Sequence, residues 1–102
     1  MKTLEQIRHQ LSIGEFEFSR HALKRAVERN ISESEIAQLS EDADLIENYP
    51  DDKYSPSCLI LGFTHDNRPL HIQVSFADTP MVRIITLYEP DPDEWIEFRK
   101  RR

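Results

Sequence analysis

From Leu70 to Phe76 the chain alternates without a break, with Leu70, Ile72, Val74 and Phe76 apolar and His71, Gln73 and Ser75 polar. A period of two predicts a strand with one face on a core and the other turned away from it. After a turn at Asp78, Thr79 and Pro80, the β-branched run Val82–Tyr88 predicts a strand returning beside it. Upstream, Cys58–Phe63 is a short apolar run ended by the polar turn Thr64–Pro69. Leu45–Tyr49 reads as an edge strand stopped by Pro50, Asp51 and Asp52.

Residues 1–40 follow a helical period instead. Leu4, Ile7 and Leu11 fall on one stripe and predict a helix from about Leu4 to Ser12, with Thr3 and Gln6 as a capping box and Gly14 just past its end. A second helix is expected after Ser19, ending near Asn30, with Phe18 and Leu23 as a hydrophobic staple. A third follows Ser32, where Ser32 and Glu35 form a capping box and Ile31 and Ile36 a staple. Near the C-terminus, Asp91, Pro92 and Glu94 suit the cap, first and third positions of a short helical turn that Trp95 and Phe98 would pin down. Helices first and sequential strands afterwards predict an α+β fold. Two to three N-terminal helices would pack on one face of a three- to four-stranded antiparallel sheet, in a single domain over residues 1–102.

Charge changes this picture more than composition does. The formal net charge is −6, which removes the direct argument for nucleic acid that a basic chain would supply. The acid is concentrated, however: residues 31–55 hold eight Asp/Glu against one Lys, while residues 1–30 carry six Lys/Arg against four acids. The chain therefore admits a local cationic site, and equally an acidic face for a basic partner. The lone cysteine, Cys58, can form no internal disulfide, and no apolar run reaches the length of a bilayer span. A cytoplasmic protein with no membrane contact is the expectation.

On the second helix, His21, Arg25 and Arg29 are spaced by four and stack along one stripe beside the apolar face of Ala22, Leu23, Ala26 and Val27. That pattern fits a histidine for proton transfer beside two guanidinium groups for a phosphate. It also fits a solvated basic edge paired with Glu28 and its acidic neighbours. The polar face of the His71 strand offers an imidazole, an amide and a hydroxyl as a substrate platform, which Arg83 could join, or it is simply wet. Lys53 and Tyr54 lie in a turn-rich loop, where they can reach a phosphate or a base, or are plain loop surface. Cys58 has no cationic sequence neighbour to activate it and reads as structural. The four histidines show no metal-ligand spacing, so neither metal nor cofactor is expected. The Arg99–Arg102 run is either solvated or able to grip phosphates or an acidic partner.

Several strings are more specific. Phe18-Ser19-Arg20-His21-Ala22 with Arg25, Glu28-Arg29 and Ile31-Ser32 resembles the start of a bacterial family catalogued as a domain of unknown function, DUF4258. So do Ile46–Lys53, Ser57–Gly62, Arg68-Pro69-Leu70-His71 and Ile84–Asp91, so that the resemblance covers about residues 16–96. That family looks related to the RelE-, ParE- and BrnT-like toxins of type II toxin–antitoxin pairs, small α+β domains of which many cleave messenger RNA without a metal. The resemblance implies a cognate antitoxin as partner, similar to a small zinc-bearing protein with a helix-turn-helix. It also implies RNA, free or on the ribosome, as substrate. Carried over residue by residue, the family motif falls on His21, Arg25, Arg29 and His71, with Tyr88 next.

These readings combine into one expectation: an endoribonuclease in which the ribose 2′-hydroxyl attacks the neighbouring phosphate. His71 and His21 would serve as the complementary base and acid, since an imidazole titrates near neutrality. Arg25, Arg29, Lys53 and Arg83 would hold the phosphate, and Tyr88 would stack on a base or donate a hydrogen bond. If helix two and the His71 strand end lay more than about 12 Å apart, a shared site of this kind would fail, because both groups must reach one phosphate. The competing expectation is a non-catalytic interaction module that uses the acidic block around Asp42, Asp44 and Glu47 and an open sheet edge.

Overall fold

The computed structural model describes all residues from Met1 to Arg102. Three helices, α1 (Leu4–Ser12), α2 (Arg20–Glu28) and α3 (Glu33–Ser40), are set among seven strands: β1 (Phe16–Phe18), β2 (Asp44–Tyr49), β3 (Ser57–Phe63), β4 (Pro69–Ser75), β5 (Val82–Tyr88), β6 (Trp95–Ile96) and β7 (Lys100–Arg101). The fold is α+β.

Each helix begins where its cap dictates. The Thr3 hydroxyl accepts from the Gln6 amide while the Gln6 side chain accepts from the Thr3 N–H, and Ser32 with Glu35 repeats the arrangement at α3. The Ser19 hydroxyl accepts from the Ala22 N–H at 3.0 Å and starts α2. Each such cap contributes about 1 kcal/mol. The second helix stops two residues before the expected Asn30, because Asn30 adopts a left-handed φ of 54° that ends the helix and turns the chain into α3.

The main sheet has five strands in the order β1-β5-β4-β3-β2 and is mixed rather than antiparallel. The first strand, which has no counterpart in the sequence reading, pairs parallel to β5, Phe16 opposite Val82 and Phe18 opposite Ile84. Only three residues long, it is too short for alternation to reveal, and a parallel neighbour requires a long crossover rather than a hairpin. The expected edge strand is β2, at the opposite border. The expected C-terminal helical turn forms as one turn only, with the Asp91 carbonyl accepting from the Glu94 and Trp95 N–H groups at 2.9 and 3.1 Å. The chain then passes into β6 and β7, a separate two-stranded hairpin. The Arg99 N–H closes its turn on the Ile96 carbonyl at 3.0 Å, with Glu97 and Phe98 both at positive φ.

Alternation in β3, β4 and β5 sends one set of side chains into a common core. Ile60, Leu70, Ile72, Val74, Ile84 and Leu87 join Ile7 and Leu11 of α1, Ala22 and Ala26 of α2, and Ile36 of α3 there. Burying each large aliphatic side chain contributes roughly 1.5–3 kcal/mol. Leu39 of α3 lies against Gly62 so closely that a Cβ on the glycine would come within 2.8 Å of the Leu39 Cβ. Cys58 is buried in this core, and burial pushes its thiol up to about 12, in keeping with a structural role.

The other face of the sheet carries His71, Gln73 and Ser75 as expected, but it is not uniformly wet. The β6–β7 hairpin covers one end, with Trp95 buried and its ring edge-on to His71 at 4.5 Å. Arg99 and Arg101 hold the hairpin to β2 through Asp44 and Glu47, both at 2.8 Å. Much of the basic C-terminal run is thereby engaged within the chain. Arg101 also lies over the Trp95 ring, 4.6 Å from its centroid.

Candidate functional site

The parallel strand β1 covers only the beginning of β5, and α2 takes over along the rest of that edge. The Ser19 N–H bonds the Ile84 carbonyl at 3.0 Å, the Ser19 hydroxyl donates to the Ile85 carbonyl at 3.1 Å, and Arg29 Nη1 donates to the Leu87 carbonyl at 2.7 Å. Three edge carbonyls are satisfied in this way, and the helix is fixed lengthwise beside the strand. The stripe His21, Arg25 and Arg29 therefore runs along the sheet border. His21 stands near the Ile85 end, Arg29 near Tyr88, and Arg25 between them is paired with Glu28 at 3.0 Å.

At the His21 end lies a cavity of about 580 Å³ on the outer face of the sheet, lined by Ser19, His21, Tyr54, Ser55, Ser75, Ala77, Arg83 and Ile85. A bulge at the Gln73/Val74 step of the β4–β5 pairing sets Thr86 opposite Gln73 and Ile84 opposite Val74, leaving Ile85 as the extra residue. Arg83 comes from β5 and is braced by Glu17 of β1 at 3.2 Å. The Ser55 and Ser75 hydroxyls are 2.7 Å apart, and the Ser75 oxygen also accepts the Ala77 N–H at 3.0 Å. No carboxylate lines this cavity, in a chain of net charge −6; the other three are each bordered by at least one acid.

His71 is elsewhere, with 0 % exposure. Its Nε2 is 2.6 Å from the Phe98 carbonyl oxygen and its Nδ1 is 3.2 Å from the Tyr88 hydroxyl. A carbonyl can only accept, so Nε2 carries the hydrogen and Nδ1 accepts from Tyr88. Burial lowers the His71 pKa, outweighing the Phe98 hydrogen bond and the nearby Glu47 charge, which raise it. The expectation that His71 and His21 flank one phosphate meets a correction here. The strand alternation that turns His71 away from the helices is as expected, but the hairpin of residues 95–101 seals it, and His21 opens onto a cavity His71 does not line.

Tyr88 borders a second depression with Arg29, Arg68, Glu89, Asp91 and Glu94. Its ring is 6.0 Å from the Arg29 guanidinium carbon and its hydroxyl is committed to His71. Arg68 is wholly engaged: it donates to the Arg29 and Asn30 carbonyls, each at 2.9 Å, to Glu35 at 3.0 Å and to Glu89 at 2.7 Å. Lys53 sits in the loop between β2 and β3, its ammonium over the Tyr54 ring at 5.5 Å. Of the seven residues expected to form a site, His21 and Arg83 meet at one cavity with Lys53 close by on Tyr54, Arg25 lines no cavity and pairs with Glu28, and Arg29, His71 and Tyr88 gather at the other end of β5. Ser19, Ser55 and Ser75 complete the cavity; the sequence signal for them was slight, since only Ser75 had a face assigned by alternation.

Residues 18–89 match the family described as a domain of unknown function, DUF4258, and the chain belongs to that family. No curated protein and no solved structure matched it. No helix is long and apolar enough to cross a membrane.

Proposed function

We propose that this chain is a toxin of a type II toxin–antitoxin pair that cleaves messenger RNA without a metal, at the cavity between His21 and Arg83. The observation that carries the reading is a carboxylate-free cavity presenting an imidazole, a guanidinium and three serine hydroxyls in an otherwise acidic protein. Such a lining favours a phosphodiester over a cationic or neutral ligand. The RelE-like resemblance adds RNA as the source of that phosphate and a cognate antitoxin as the partner that restrains the protein.

In the reaction, His21 takes the proton of a ribose 2′-hydroxyl and the 2′-oxygen attacks the adjacent phosphorus. The bond to the 5′-oxygen breaks, that oxygen takes a proton from water, and the His21 imidazolium gives its proton to the hydroxide left behind, which restores the neutral base. The products are a 2′,3′-cyclic phosphate and a free 5′-hydroxyl. Arg83 neutralises the charge that builds on the non-bridging oxygens, and Glu17 keeps its guanidinium in place. His71 and Tyr88 act at a distance on this reading, by joining β4, β5 and the C-terminal hairpin.

The interaction-module reading has less to stand on. Asp44 and Glu47, two of the acids it needs, are already paired with Arg99 and Arg101.

The test is induction in a bacterial host together with cleavage of RNA, free and in a translation extract containing a chelator. His21→Ala is expected to lower cleavage by about 10²–10⁴-fold, and Arg83→Ala by about 10²–10³-fold. The folded His71→Gln variant should still cut. Wild-type protein that is soluble, harmless and inactive on both RNAs, or a His21→Ala variant that cuts at the wild-type rate, would defeat the proposal.

A further inference from the structure

Tyr54 is an aromatic residue that the fold does not use. Tyr49 bonds Glu47 through its hydroxyl and Tyr88 bonds His71, whereas the Tyr54 side chain is 86 % exposed and its hydroxyl has no partner. Its backbone is nevertheless tied down. The Tyr54 N–H donates to Asp52 Oδ1 at 3.0 Å, and Asp52 Oδ2 accepts from the Ser57 hydroxyl and the Gln73 amide, both at 3.1 Å. These bonds, with the Tyr54 N–H foremost, hold the Asp52 carboxyl below its usual range. On the other side of Tyr54, Ser55 is fastened to Ser75 at 2.7 Å. An exposed ring is thus carried on a segment anchored to the sheet at both flanks, at the mouth of the cavity that holds His21 and Arg83.

We infer that Tyr54 is a stacking platform for an unpaired base of the RNA whose phosphate lies between His21 and Arg83; the inference rests on the RNA reading above and names the substrate as single-stranded. Every base offers a π-face, so an anchored tyrosine ring binds one whatever its identity. Lys53, with its ammonium over the ring, adds a cation where the strand enters. Within the cavity, the Ser55 and Ser75 hydroxyls are 2.7 Å apart and Ser55 also donates to the Pro56 carbonyl at 3.4 Å, so these two side chains are held in place as part of the wall. At about 580 Å³ the cavity lies within the range of small-ligand sites, large enough for a nucleotide. A base held in a duplex is already stacked and paired, and offers no face to Tyr54.

The test is binding of a short labelled 2′-O-methyl oligoribonucleotide, which lacks the attacking hydroxyl and survives whether or not the protein is a nuclease. Fluorescence anisotropy at fixed salt is expected to show Tyr54→Ala binding about 5- to 100-fold more weakly than wild type. Tyr54→Phe should bind within about twofold, because stacking needs the ring and not the hydroxyl. Lys53→Ala should lessen the salt dependence by about one phosphate contact. The duplex form should bind more weakly and be indifferent to Tyr54. No binding by the wild type, or equal binding by Tyr54→Ala, would overturn the platform even if RNA is cleaved. Tyr54-dependent binding without cleavage of ordinary RNA would leave the platform standing and remove the nuclease.

Discussion

The imidazole of His71 donates to the carbonyl of Phe98 at 2.6 Å, joining the centre of the sheet to the tip of a hairpin 27 residues further along the chain. The ring's other nitrogen accepts from Tyr88, so the neutral form satisfies every partner, while a proton on Nδ1 would force the Tyr88 hydroxyl to turn from donor to acceptor. Glu47, Arg101 and Tyr49 are the charged or titratable groups near this corner; Tyr49, raised to about 12 mainly by burial, stays neutral, and Glu47 is paired with Arg101.

This relationship sets a pH dependence. The folded-state pKa of His71 is below its ordinary 6.5, so below that value the unfolded chain binds more protons than the folded one. Stability contributed by neutral His71 is full above 6.5 and is lost as pH falls from there through the folded pKa. Urea unfolding between pH 7.5 and 5 should show wild type losing stability relative to His71→Gln, whose amide keeps a donor for Phe98 and does not titrate. Parallel curves for the two proteins would contradict the burial of this ring.

Arg68 closes the chain between α2 and α3 by bonding the carbonyls of Arg29 and Asn30 and the carboxylates of Glu35 and Glu89. Burial tends to raise the Glu35 pKa, but the Ser32 N–H and Arg68 outweigh it and lower it. Arg68→Ala should cost about 2 kcal/mol, since two carbonyls and a half-buried carboxylate lose a charged donor. Arg68→Lys should recover less than half, because an ammonium cannot span the same fork. Denaturant midpoints of the three proteins would measure both differences.

Gly62→Ala tests how tightly α3 seats on the sheet. The added methyl would press on the Leu39 carbonyl and Cβ, where backbone rather than a flexible side chain must yield. Overpacking of this kind costs about 1–3 kcal/mol. The melting temperature is expected to fall by several degrees for a domain this size, on the order of 4–8 °C per kcal/mol. An unchanged melting temperature would mean that the helix moves freely over the strand.

The sequence was most informative where local chemistry decides. Thr3 with Gln6 and Ser32 with Glu35 form their capping boxes in place, and the alternation in β4 correctly separates Ile72 from His71. It was least informative where a partner distant in the chain decides. Phe16–Phe18 becomes a strand only because Val82–Ile84 lies beside it. The helix-start signals at Asp91, Pro92 and Glu94 produce a single turn, and it goes no further because Trp95 finds a buried seat on His71. The same limit applies to the site: spacing by four put His21, Arg25 and Arg29 on one stripe, but only the tertiary fold could show that its two ends serve different depressions.

The bond between Glu17 and Arg83 spans 66 positions. A ribosome would release His21 long before Arg83 exists, and during that interval β1 and α2 have no β5 to lie against. Until residue 83 emerges, the cavity beside His21 lacks its only guanidinium, so the arrangement described above exists on no chain that ends before Arg83.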